Sequence, residues 1–197
     1  MKKVVVAVAS CIAVLMASGT ASAKGKVGKL GIDTALVIPM GDWSDSAGAG
    51  VGALIAGRYH FTPNWAVTGR VGYVGHFSKD IGGLASVSTA ELPILVGINY
   101  YFAGYEGFYF GAETFLLNLT YKIEADVQFQ DEEEYSSFSI SDSHSGLRIP
   151  LTIGVGWEFS NVDIRGSLFV PNFLLNESGE KMLAGLMFSV GYRFFRF

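Results

Sequence analysis

From residue 29 onward, apolar and polar side chains alternate one by one over stretches of unusual length. In "LRIPLTIGVGWEF", Leu147, Ile149, Leu151, Ile153, Val155, Trp157 and Phe159 share one parity, while Arg148, Pro150, Thr152, Gly154, Gly156 and Glu158 share the other. A period of two is the signature of a strand with unlike faces. The run is far longer than the about 5–6 residues of an ordinary strand. It suits a tilted strand crossing a bilayer, which needs roughly 9–11 residues. The same pattern predicts eight strands, at about 29–39, 50–61, 65–77, 87–102, 107–123, 146–159, 162–172 and 182–196.

The connections alternate too. Thr62–Asn64, Ala103–Gly107 and Ser160–Asn161 read as tight turns, whereas Met40–Gly50, Ser78–Ser86, Glu124–Gly146 and Asn172–Glu180 read as long polar loops. An even strand count with short turns on one side and long loops on the other predicts an all-β, eight-stranded antiparallel up-and-down transmembrane β-barrel, both ends of the barrel domain lying on the periplasmic side. Aromatic girdles are expected at both interfaces. Tyr59, Phe61, Trp65, Tyr100, Phe102, Phe108, Trp157 and Phe159 lie near the turns; Trp43, Tyr73, Phe77, Tyr121 and Phe173 lie near the loops. A soluble lipocalin-like barrel would turn its apolar face inward. Here the opposite parity holds arginines and carboxylates, so the apolar face belongs outside.

Composition narrows this further. Half of the chain is hydrophobic, yet beyond the first segment no apolar run reaches the about 18 residues of a spanning helix. Lys2 and Lys3, the apolar run Val4–Met16 and the small residues Ala21–Ala23 read as a secretory signal peptide, with cleavage expected after residue 23 and the barrel domain spanning 24–197. The single cysteine, Cys11, leaves with that segment, so no disulfide, thiol nucleophile or cysteine-bound metal is expected. The net charge of −4 becomes more negative without the basic leader, which argues against a nucleic-acid partner.

The inward parity carries Asp33, Glu91, Glu113, Glu158 and Asp163 against Arg58, Arg70, Arg148, Arg165 and Arg193, and no lysine. Glu113 belongs to this set if the fifth strand, irregular near Thr114, keeps its parity. Planar guanidinium forks suit such a network because each can bond several carboxylates. The expected role is a neutral polar plug, with Asp33 and Arg58 pairing across the first two strands; a gated ion path is the alternative. No catalytic residue, cofactor site or metal site is expected. His60 reads as an interior hydrogen-bonding group, and the histidines are too dispersed for a transition metal. The acidic stretch Asp126–Gly146, with Asp126, Asp131, Glu132, Glu133, Glu134 and Asp142 and no Lys or Arg, reads as a solvated loop. A contact for a cationic partner is its functional alternative.

The terminal "VGYRF" (Val190–Phe194) resembles the final-strand signal of small eight-stranded outer-membrane barrel proteins of the OmpA/OmpX type, and "PMGDW" (Pro39–Trp43) resembles their first-loop pattern. That resemblance implies an outer-membrane location and recognition of the last strand by the barrel-assembly machinery. It also implies lipid and lipopolysaccharide around the wall, a possible extracellular partner at the loops, and a monomer with a structural role in the envelope. A narrow channel is the alternative. Phe195–Phe197 extend past the usual end, and Tyr192 and Phe197 have opposite parities, so either a bulge intervenes or only one of them faces lipid. His76 and Ser78, with Glu91, resemble the His-x-Ser and glutamate set of the outer-membrane lipid A deacylase. However, Lys79 stands where that family has Asn, and His76 and Glu91 point inward. Deleting Arg193–Phe197 is expected to leave the protein processed but protease-sensitive and outside the outer membrane. Wild-type assembly of the truncated chain would refute the terminal signal.

Overall fold

A sheet that is apolar on one face and charged on the other must separate two environments, and curling into a closed barrel does so without leaving an edge unpaired. The computed structural model describes residues 28–81, 85–131, 134–174 and 182–197; the expected signal peptide lies outside the described residues. Eight strands form the wall: β1 (Gly28–Met40), β2 (Gly50–His60), β3 (Trp65–His76), β4 (Ala85–Tyr101), β5 (Gly107–Asp131), β6 (Glu134–Phe159), β7 (Val162–Leu174) and β8 (Ala184–Arg196). A short stretch, Lys79–Ile81, resumes the line of β3 and pairs with the start of β4. Neighbours in sequence pair antiparallel, and β8 closes onto β1 with Ile32 opposite Tyr192 and Leu36 opposite Phe188.

The outer surface is apolar on every strand. Ile32, Ile55, Tyr73, Ile98, Phe110, Val155, Leu168 and Val190, one from each, are all exposed. A continuous apolar belt of this kind is far larger than the patches a water-soluble monomer carries, and it matches a lipid-facing wall. The turn-side girdle stands as expected: Phe61, Trp65, Phe102, Phe108, Trp157 and Phe159 are exposed. At the loop side Tyr73, Phe77 and Phe173 are exposed as well, but Trp43 is not.

Trp43 corrects the girdle expectation. After Gly41, whose positive φ of 58° reverses the chain, Asp42–Ser46 form a one-turn helix, α1. This turn folds back over the barrel mouth and drops Trp43 inside, with 0% of its surface exposed. There it packs with Val37, Leu54, Val74, Leu117, Phe169 and Met187. The loop-side half of the lumen is thus an apolar core, the reverse of an open vestibule.

Three local irregularities also bear on the sequence reading. Within β5, Phe115 takes φ 151° and swings outward at a position whose parity points in, while the pairing of β5 with β4 runs through unshifted. Glu113 therefore keeps its inward direction. Between β1 and β8 the register slips between Leu30 and Gly31, which face Phe195 and Arg193, so Phe194 is the extra residue of a bulge. The bulge puts both Tyr192 and Phe197 on the outside, and Phe197 exchanges backbone hydrogen bonds of 2.7 and 2.9 Å with Gly28. Finally, residues 124–146 are not a loop among the described residues. β5 and β6 continue as a paired hairpin out to Asp131 opposite Glu134, well past the last partner of β5 on β4 at Ala125.

If Trp43 is the buried plug, a Trp65→Phe/Trp157→Phe double variant should emit only from Trp43, and that emission should resist quenching by both acrylamide and lipids brominated on their acyl chains. Strong quenching by brominated lipid would return Trp43 to the girdle.

Candidate functional site in the barrel interior

Below the apolar core, many of the inward side chains toward the tight turns are charged, and a buried charge there needs a partner close by. Two carboxylates organise the first group. Glu158 on β6 accepts from Lys29 Nζ at 2.8 Å, from Tyr101 OH at 3.0 Å and from Arg58. Asp163 on β7 accepts from Arg193 Nη2 at 2.7 Å, from Tyr109 OH at 2.8 Å and from Arg58. Arg58 therefore bridges the two, lying 6.0 and 5.9 Å from the ring centres of Tyr101 and Tyr109. Arg193 in turn reaches Asp33. The interior makes room by omission: a Cβ on Gly191 would come within 2.0 Å of an Asp33 carboxylate oxygen, and one on Gly156 within 2.3 Å of the Tyr109 ring.

A second group lies deeper, around Glu113 on β5. Arg165 Nη1 donates to it at 2.8 Å, Arg70 Nε at 3.0 Å, Thr68 at 3.0 Å and Thr152 at 3.2 Å. Two guanidiniums share this one carboxylate. These bonds come from β3, β6 and β7, so the group ties opposite walls of the barrel together.

The structure corrects four parts of the sequence reading. Lys29 is buried, so the interior does contain a lysine; its parity on β1 is that of Asp33, which was the available signal. Asp33 and Arg58 do not pair with each other but with Arg193 on one side and Glu158 and Asp163 on the other, because β8 rather than β2 brings a guanidinium to Asp33. His60 is inside, yet both its ring nitrogens are without hydrogen-bond partners, and it packs against Tyr101 and Tyr105 at 4.7 and 5.4 Å between ring centres. Arg148 is only half-buried, at the base of the projecting hairpin. Tyr101 and Tyr109, which the sequence analysis does not single out although they share the parity of Glu91 and Glu113, supply the hydroxyls that complete the first group.

Glu91 stands apart from the arginines. It lies at the loop end of the lumen, where its carboxylate meets His76 Nε2 at 3.1 Å; His76 Nδ1 meets the Gly48 carbonyl at 2.8 Å. Both ring nitrogens are thus committed, one of them to the loop that carries Trp43. Ser78 is exposed, in the short break between β3 and Lys79–Ile81. A serine nucleophile needs a free imidazole nitrogen within hydrogen-bond reach, and this arrangement offers none. No group of three or more metal-ligating side chains comes together among the described residues.

At the turn-side rim, Lys29 also holds Glu106, in the turn after β4, at 2.8 Å. That hydrogen bond keeps the Glu106 carboxyl below its ordinary value against the opposing effect of partial burial. Its contribution to stability is present above the ordinary carboxylate range and is lost as pH falls through the lowered value. Burial separates the two partners of Lys29, since the Glu106 side chain is 43% exposed and that of Glu158 is enclosed. Glu158→Gln is expected to cost about 3–5 kcal/mol of folding stability, and Glu106→Gln only about 0.2–1 kcal/mol. Denaturant titrations of the two variants in lipid vesicles check this, and equal costs would contradict the burial argument.

No protein-family model matches the chain, and no curated protein matches it in sequence. Solved structures do. The attachment invasion locus protein Ail of Yersinia pestis superposes with a TM-score of 0.53 at 15% identity, over 87% of this chain and 100% of that one. The same protein in complex with the heparin analogue sucrose octasulfate gives 0.52 at 19% identity, with the same coverage. The N-terminal β-barrel domain of OprF from Pseudomonas aeruginosa gives 0.51 at 14%, over 88% of this chain and 100% of that one. At these identities the likeness concerns the fold. With a closed eight-stranded antiparallel wall, an apolar exterior and a charged lumen, the chain has the fold of the small outer-membrane β-barrel proteins of the OmpA/OmpX type.

Proposed function

We propose that this protein resides in the outer membrane as a non-conducting, non-enzymatic barrel that supports the envelope and presents a surface to extracellular partners. The observation that carries this reading is the filled lumen. Trp43 and its apolar neighbours occupy the loop end, two bonded ion groups occupy the turn end, and the space enclosed between those groups is only about 10 Å3. That volume is about what a single water needs and cannot hold a water column. Residues 1–23 would direct export and be removed on translocation, and assembly would follow recognition of the aromatic last strand.

The β5–β6 hairpin is the natural contact surface, because it projects beyond the paired wall on the side of the long loops. Its stretch from Asp126 to Gly146 carries acids and no Lys or Arg, which suits a cationic partner. Ail was solved with a sulfated sugar analogue; the charge here favours a ligand of opposite sign.

Planar-bilayer recordings of purified protein test the central point. The expected result is electrical silence in 1 M-class salt, with folded mobility retained on gels. Steady, well-resolved openings would favour the narrow-channel reading.

A further inference from the structure

The enclosed space between the two ion groups has an electrical imbalance. Its wall carries four guanidiniums, Arg58, Arg70, Arg165 and Arg193, against three carboxylates, Asp33, Glu113 and Asp163. Extending the count to every buried member of the network adds Lys29 and Glu158, which match each other, and leaves the same single positive excess. Glu106 does not remove it, because that residue sits at the exposed rim and is shared with Arg196. Glu91 does not either, being bonded to His76 at the far end of the lumen.

The excess has a definite location. Arg70 and Arg165 share Glu113, and the nitrogens they leave over, Arg70 Nη1 and Arg165 Nε and Nη2, are buried with no hydrogen-bond partner. Arg193 Nε, from another wall of the same space, is likewise buried and unpartnered. Buried donors of this kind cost free energy until an acceptor meets them, and a buried charge without a counter-charge costs more.

We propose that the cavity holds one desolvated monovalent anion, chloride in ordinary media, bound by the free N–H groups of Arg70, Arg165 and Arg193. A water would fit the volume, and it could also satisfy Asn99 Oδ1, the one unpartnered side-chain acceptor among the described residues of the wall. It would leave the excess charge in place, whereas a halide removes it. The site depends on the ion network and not on the absence of conduction, so a conducting barrel would leave the proposal standing.

Crystals of the wild-type protein grown in sodium bromide test it without any substitution. An anomalous peak between Arg70 and Arg165 is expected; a peak in the cavity without anomalous signal, or bromide on the surface only, would overturn the proposal. In detergent, the temperature at which the barrel loses its heat-modified gel mobility should rise by a few degrees with log chloride concentration, relative to gluconate at equal ionic strength. Gluconate is too large for the cavity. Asn99→Asp adds a fourth carboxylate to the wall and should abolish that rise. A wild type equally stable in both salts, or a folded Asn99→Asp variant that keeps the chloride response, would also overturn it. If Asn99→Asp does not fold, the bromide experiment decides alone.

Discussion

The constraint on which this structure depends is that a charge inside the barrel can be neutralised only from inside. The wall is surrounded by an apolar belt, so no inward residue can reach bulk water sideways, and side chains fill both ends of the lumen. Arg58 illustrates the consequence. It is held by carboxylates from two neighbouring strands, β6 and β7, while its own strand lies across the barrel. Each such bond is a chord across the lumen, and the chords resist the shear that a two-dimensional ladder of backbone hydrogen bonds alone would permit. Removing one partner strands the other in a low-dielectric interior, which is costlier than the bond itself.

The interior is also divided along its axis. Trp43 and the aliphatic residues around it seal the loop end, and the ion groups fill the turn end. His76 joins the two by bonding Glu91 on the wall and Gly48 in the first loop. The cap is consequently held by packing and by a hydrogen bond, and Lys79 adds a third tie to the Ser44 carbonyl. Closure of the lumen by such different interactions at its two ends is the physical basis of the structural, non-conducting role proposed above. The hairpin, by contrast, has two strands only beyond the wall, so contacts made there need not disturb the barrel.

Much of this was legible in the alternation. The eight strands, the turns between them and the direction of nearly every charged side chain follow from period-two patterning, because in a barrel parity decides between lipid and lumen with no intermediate option. Where the reading failed, another signal of similar strength competed. The charge of Glu124–Gly146 points to a loop, although Val127 and Phe129, then Phe138 and Ile140, alternate with polar residues as strands do. An aromatic beside a membrane strand usually belongs at the lipid interface, and nothing local to "MGDW" announces that the helical turn carries Trp43 inward.

Sequence by itself determined which strand residues face in, Phe115 excepted, since alternation is a property of the single strand, and it made the fold class and the outer-membrane character readable before any contact was known. Only the tertiary structure decided who bonds to whom. Asp33 meets Arg193 rather than Arg58 because closure brings β8 beside β1, and Glu113 takes two arginines because strands distant in sequence converge on one level of the lumen. Pairing across a barrel depends on stagger and tilt, which no single strand encodes.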